Sequence, residues 1–272
     1  MFHLRIVCAA ELSADVIAYL EADDATTNLV VLHGAARQPL GDVVLCDVAR
    51  EDTSLILDDL RLLGVTHEGS IALERVELAD SDGARSAILA AHGEEADAVV
   101  WETVEARSSE ESRLSWSYAA FMALAAVIAI SGLMTDSEIL IVGAMVVSPD
   151  FGPLAGLCVG LTLRLRALVL NAVLATVVGL VIVIVVASAV AEAVERLGLL
   201  PAAFDFDEGL SALISHPDAF TVIVALAAGG AGMLSLLTAK SGALVGVLIS
   251  VTTIPASAQV ALAISFGRWD SA

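Results

Sequence analysis

Apolar and polar positions alternate in short blocks over the first eighty residues, then give way near residue 115 to long runs with almost no charge. In the first block, Phe2–Cys8 (FHLRIVC) has the pattern of a strand, and Leu12–Ala22 carries apolar residues at helical spacing. Thr26–His33 (TTNLVVLH) reads as a second strand, with turn residues at Gln38–Gly41, and Asp42–Val48 reads as a third. Asp52–Leu63 is amphipathic with a helical period, and Gly69–Leu78 is a fourth strand pattern. The order βαββαβ predicts a ferredoxin-like α/β domain over residues 1–80, with two helices on one face of a four-stranded sheet. By analogy of fold alone, such domains bind small effectors or pair edge to edge.

Residues 81–113 are polar, with DSDGAR near the start and EARSSEESR near the end, and predict a partly helical connector. From residue 114 to 267 the pattern predicts a mainly α membrane domain of about five transmembrane helices. Ser115–Met134 has no charge and opens with Trp116 and Tyr118, rings that favour a membrane interface. Glu138–Leu163 is a second span, interrupted at Ser148-Pro149-Asp150, and Ala167–Ala191 is a third. An acidic loop separates these from Ala219–Thr238, the fourth, which carries Gly229, Gly230 and Gly232 at its centre. Ser241–Phe266 is the fifth, interrupted at Pro255.

Arg107, Arg113, Arg164, Arg166 and Lys240 flank these spans on what would be one side, which the positive-inside rule assigns to the cytoplasm. That assignment requires Glu138–Leu163 to cross once as a broken helix; a re-entrant hairpin would put Arg164 and Arg166 on the other side. Residues 1–20 lack a basic segment followed by an apolar core, so the expected location is the cell (inner) membrane, multi-pass, with a cytoplasmic N-terminal domain.

Charge sharpens the division. Residues 1–112 hold 7 Arg and 23 Asp and Glu, a net of −16, whereas residues 113–272 hold 6 basic and 10 acidic residues, a net of −4. An acidic excess of this size argues against a nucleic-acid partner, which needs clustered basic residues. It serves either solubility or a cation-binding face, and no metal-ligand spacing is present. Cys8, Cys46 and Cys158 form no C-x-x-C pair, so free thiols are expected, with no metal and no cofactor.

The interrupted second span carries the sharpest chemistry. Pro149 and Pro153 cannot donate backbone hydrogen bonds, so VGAMVVSPDFGPLAGLCVGL must break, with a second half-helix starting at Ser148 or Asp150 and Ser148 placed as an N-cap. Asp150 then lies roughly 18 Å along the helix from Glu138, near mid-bilayer at 1.5 Å per residue. A carboxylate at that depth needs a partner, water or a proton. It either caps the break or serves as a solute, cation or proton site. Gly152, Gly156 and Gly160 form a small-residue stripe for close helix packing, which is also compatible with a homo-oligomer. The second interruption, around Pro255, offers Thr252, Thr253, Ser257 and Gln259 as oxygen-bearing side chains that would face a cavity or bond back to their own helix. Two proline-interrupted segments, one in each half, point to a site between inverted repeats.

The run SWSYAAFMALAAVIAISGLMTDSEILIVGAMVVSPDFGPLAGLCVGL resembles the hydrophobic core of the membrane proteins grouped as domain of unknown function 389. The shared features are a Ser/Tyr-Phe-Met start and an AM-x-x-SP-x-x-GP centre, and the resemblance extends over about residues 113–267. It implies a multi-pass bacterial or archaeal membrane protein with at least one helix beyond the fifth span, and it names no substrate.

Two functions follow as expectations. The first is a transporter or channel for a small solute or ion, with Ser148, Pro149, Asp150 and Gly152 on one wall and Thr252, Thr253, Pro255, Ser257 and Gln259 on the other. The alternative is a membrane-anchored sensor whose N-terminal domain binds a small effector. Catalysis is not expected: the spans contain no paired carboxylates, Ser/His/Asp set or His cluster, and His216 beside Pro217 reads as a loop residue.

Overall fold

The computed structural model describes residues 1–91, 98–201, 204, 214, 219–238 and 253–267. The chain divides into two compact units, Met1–Glu102 and Thr103–Ala272. The polar stretch read as a connector contributes helices to both.

In the first unit the strands are β1 (Phe2–Cys8), β2 (Thr26–Arg37), β3 (Leu40–Val48) and β4 (Ser70–Arg75). They form one antiparallel sheet in the order β2-β3-β1-β4, with Phe2 opposite both Val48 and Arg75. Helix α1 (Ala10–Ala22) joins β1 to β2, while α2 (Thr53–Leu62) and the short α3 (Val65–Glu68) join β3 to β4. The expected βαββαβ order is present, with α3 as an addition. β2 and β3 run four and two residues further into their shared hairpin than the sequence pattern suggests, because Arg37 pairs with Leu40 across the turn.

Alternation decides which side chains enter the core. Leu4, Ile6 and Cys8 of β1 and Val44, Cys46 and Val48 of β3 face Val16 and Leu20 of α1 and Ile56, Leu57 and Leu60 of α2. Full burial of each such Leu or Ile contributes about 1.5–3 kcal/mol. Cys8 and Cys46 are buried free thiols, as expected; Cys46 lies opposite Leu4 and Cys8 opposite Asp42, so they do not face one another. Helix α4 (Asp82–Ala90) follows, capped by Ser81, whose hydroxyl accepts from the Ala84 N–H at 3.0 Å.

Helix α5 (Trp101–Glu111) contains the division between the units. The second unit continues with α6 (Trp116–Met134), α7 (Glu138–Val147), α8 (Phe151–Thr162), α9 (Arg166–Arg196), α10 (Ala219–Thr238) and α11 (Thr253–Ser265). Among the described residues, α6 and α9 are long and apolar enough to cross a membrane, and α7 with α8 forms an apolar pair bent by 52°. The described parts of α10 and α11 include shorter apolar stretches, Val222–Leu237 and Thr253–Ser265. Among the described residues, two helices are thus long enough to cross, or three if the bent pair is counted as one span. Residues 239–252, which hold Lys240, Thr252 and the start of the expected fifth span, lie outside the described residues.

Small side chains dominate this second core. Ala125, Ala126 and Ala129 of α6, Ala175, Ala187 and Ala191 of α9, and Ala258 and Ala261 of α11 are fully buried together. Tyr118 donates its hydroxyl to the Ala175 carbonyl at 2.9 Å, and it fits because Gly179 has no Cβ: one built there would lie 2.4 Å from the Tyr118 oxygen. The glycine cluster of α10 is helical throughout, so it marks no unwound stretch.

Candidate functional site at the break between α7 and α8

The break is built by two prolines. Pro149 ends α7, leaving Ser148 at its C-cap, and α8 starts at Phe151 with Pro153 third in the helix, where no donor N–H is required. The expected N-cap role of Ser148 is therefore corrected: Ser148 closes the first half-helix, its N–H donating to the Ala144 carbonyl at 3.1 Å. Its buried hydroxyl lies 3.5 Å from the Met122 sulfur. Met122 stands three residues before Ala125, the middle residue of α6, so the break is about one helical turn from the midpoint of that helix.

Asp150 occupies the N-cap position of α8 and does not cap it. Its backbone is already helical, at φ −72° and ψ −21°, rather than in the extended conformation from which a side chain reaches back to the first turn. The carboxylate instead accepts a hydrogen bond from the Thr253 hydroxyl of α11. Asp150 is only 8% exposed, so this bond joins a buried charge-bearing group to a helix 103 positions further along the chain.

The remaining predicted residues divide. Pro255 is buried and stands third in α11, matching Pro153 in α8. Ser257 is buried and donates to the Thr253 carbonyl at 2.7 Å, a bond within its own helix. Gln259 is buried at 2% exposure. Thr252 lies outside the described residues.

The glycine stripe packs as a stripe, with two different partners. Gly152 approaches Glu111 and Gly156 approaches Ser108 and Ser112, so both face the end of α5; Gly160 faces Leu168 and Val169 of α9. A Cβ at Gly156 would stand 2.0 Å from the Ser112 hydroxyl, and one at Gly152 would stand 2.9 Å from the Glu111 carbonyl oxygen. The sequence pattern anticipates close approach by a helix, and the one that meets Gly152 and Gly156 is the polar α5. Its Ser-rich run SSEES supplies the small side chains that make this possible.

A cavity of about 400 Å³ opens beside the break. Ser148, Pro149, Phe151 and Gly152 line one side, and Arg107, Glu111, Arg113, Ser115 and Tyr118 are among those lining the other. Arg107 is paired with Glu111 at 2.8 Å, and Ser115 caps α6 by accepting from the Tyr118 N–H at 3.1 Å. Sequence reasoning did not single out Tyr118, Met122 or the end of α5 for this site; their relevance depends on which helices meet, which spacing within one segment does not report. Among the described residues no group of three or more His, Cys, Asp or Glu is placed to hold a metal ion.

No curated protein and no solved structure matches the chain. Residues 145–272, which begin just before the Ser148-Pro149-Asp150 break and include α8, α9, α10 and α11, match the family model described as "Domain of unknown function (DUF389)", and the match bears out the resemblance over that stretch.

Proposed function

We propose that this chain is an integral membrane protein of the cell (inner) membrane and that it moves a small solute or ion through a site at the break around Ser148–Gly152. The observation that carries this reading is Asp150: a carboxylate buried at a helix break, held by a hydroxyl from another helix, and next in sequence to residues lining a cavity. Ionisable groups within membrane segments are costly and mark substrate, ion or proton paths. The bend of 52° redirects the chain without reversing it, which supports a single crossing by α7 and α8 and keeps Arg113, Arg164 and Arg166 on one side. On this reading the first unit, which we take as ferredoxin-like, lies in the cytoplasm and regulates the path or its assembly. The lipid bilayer is the obligate partner; catalysis, a resident metal and a nucleic-acid partner form no part of the proposal.

The test is flux through the purified full chain in liposomes, with K⁺, Na⁺ and H⁺ gradients as probes and entrapped dyes as the readout. The proposal expects flux of at least one probe above that of protein-free liposomes. A chain that inserts fully but passes none of them would count against an ion path and favour the sensor reading.

A further inference from the structure

A second cavity lies wholly within the first unit, and the reading of the α7–α8 break does not use it. It measures about 520 Å³ and is lined by Phe2, Arg50, Arg75, Glu77, Leu78 and Ile88, among others. The sheet register explains how two guanidinium groups come to share it. Phe2 at the start of the central strand lies opposite Val48 on one side and Arg75 on the other, and Arg50 follows two residues after Val48. With strands about 4.8 Å apart, Arg50 and Arg75 flank the end of β1 from positions about 10 Å apart, within reach of a common ligand for side chains of this length.

The chemistry of the lining is unusual for its surroundings. Residues 1–102 hold only six Arg and no Lys amid twenty acidic residues, and two of the six line this one cavity. Arg61 and Arg85 are each paired with two carboxylates on the surface. Arg75 forms no ion pair among the described residues, and Glu77 is the single carboxylate-bearing residue among those lining the cavity. The same lining holds apolar side chains, with Ile88 half-buried and Leu78 82% exposed at the rim. A planar guanidinium matches a phosphate or carboxylate through paired N–H donors, and an apolar wall favours a ligand with a carbon body.

We propose that this cavity binds a small organic anion of the phosphomonoester class, with the phosphoryl group between Arg50 and Arg75 and the apolar portion against Leu78 and Ile88. The site gives the first unit an effector-binding role that does not depend on the path proposed at Asp150. The surrounding acidic excess repels anions at long range, so recognition rests on contact with the two guanidinium groups and is selective for ligands that reach both.

The experiment measures binding of phenyl phosphate, AMP and inorganic phosphate to the full chain in lipid nanodiscs, by calorimetry and thermal shift. The expected result is millimolar or tighter binding of at least one organic phosphate, with inorganic phosphate at least tenfold weaker. Arg50→Gln and Arg75→Gln should each weaken binding at least tenfold. Leu78→Glu, which places a carboxylate at the exposed rim and leaves the core untouched, should also weaken it at least tenfold and serves if an arginine variant fails to fold. Absence of binding by both organic phosphates, equal binding of inorganic phosphate, or affinity unchanged in the folded variants would overturn the proposal. Flux through the chain is scored separately, so failure of this site leaves the Asp150 reading untouched.

Discussion

Asp42 in the first unit and Asp150 in the second are both kept from solvent, and the two are held in different ways. Asp42 in β3 is satisfied locally: it accepts from the Gly34 N–H at 2.7 Å and sits 2.9 Å from His33 Nδ1, both within nine residues. Those bonds hold its carboxyl down at about 2, the Gly34 amide foremost and His33 next. Asp150 instead depends on Thr253, 103 positions away and on a separate helix. The first arrangement belongs to the β2–β3 hairpin and forms whenever that hairpin does. The second exists only while α8 and α11 keep their places, so its making and breaking can accompany a change of state. The cores differ in the same sense. Leu, Ile and Val fill the sheet unit, whereas Ala and Gly let the helices of the second unit approach closely.

The contrast can be attacked first through packing. Leu60→Ala removes a fully buried side chain from the sheet core and should cost about 2–5 kcal/mol. In the full chain this should appear as faster hydrogen exchange across β1 and β3, with the amides of α6 and α9 unchanged; uniform loosening of both units would show that the cores are not separate. Gly152→Ala is the complementary change. Its new methyl meets the Glu111 backbone, which cannot rotate aside, and should cost about 1–3 kcal/mol while loosening α5 and α8. Unchanged stability would mean that α5 does not rest against the stripe.

A smaller effect separates the aspartates by pH. The carboxyl of Asp42 titrates below its ordinary 3.8 in the folded chain, so its stabilising contribution is present above about pH 4 and is lost as pH falls toward 2. Asp42→Asn should therefore flatten the decline in hairpin protection between pH 5 and 2, followed by exchange at the Gly34 amide. An undiminished decline would assign the acid sensitivity to other carboxylates.

Much of the fold is legible in the sequence because alternation and helical spacing are local. β1 matches its predicted bounds, and α6 and α10 agree with their predicted spans to within one residue. The site is legible only in part. SPDFGP requires a break, yet the pattern places an N-cap on Ser148 that the structure does not form, since Ser148 instead closes α7, its N–H donating to the Ala144 carbonyl. Gly152 and Gly156 announce close packing without naming α5, whose charged residues suggest an exposed connector. Thr253 looks much like its neighbouring hydroxyl residues in sequence; only the meeting of α11 with α8 distinguishes it, while Ser257 turns back to its own helix. Which helices meet is a tertiary fact, and one segment's periodicity does not contain it.

The most direct test of the central claim compares wild type, Asp150→Asn, Thr253→Val and the double variant for cation and proton flux in liposomes, with insertion and thermal stability checked for each. The account predicts that Asp150→Asn abolishes flux or its pH dependence, that Thr253→Val reduces it, and that the double variant is no worse than Asp150→Asn alone. Flux by a stable Asp150→Asn chain at the wild-type rate, with the wild-type pH dependence, would contradict it.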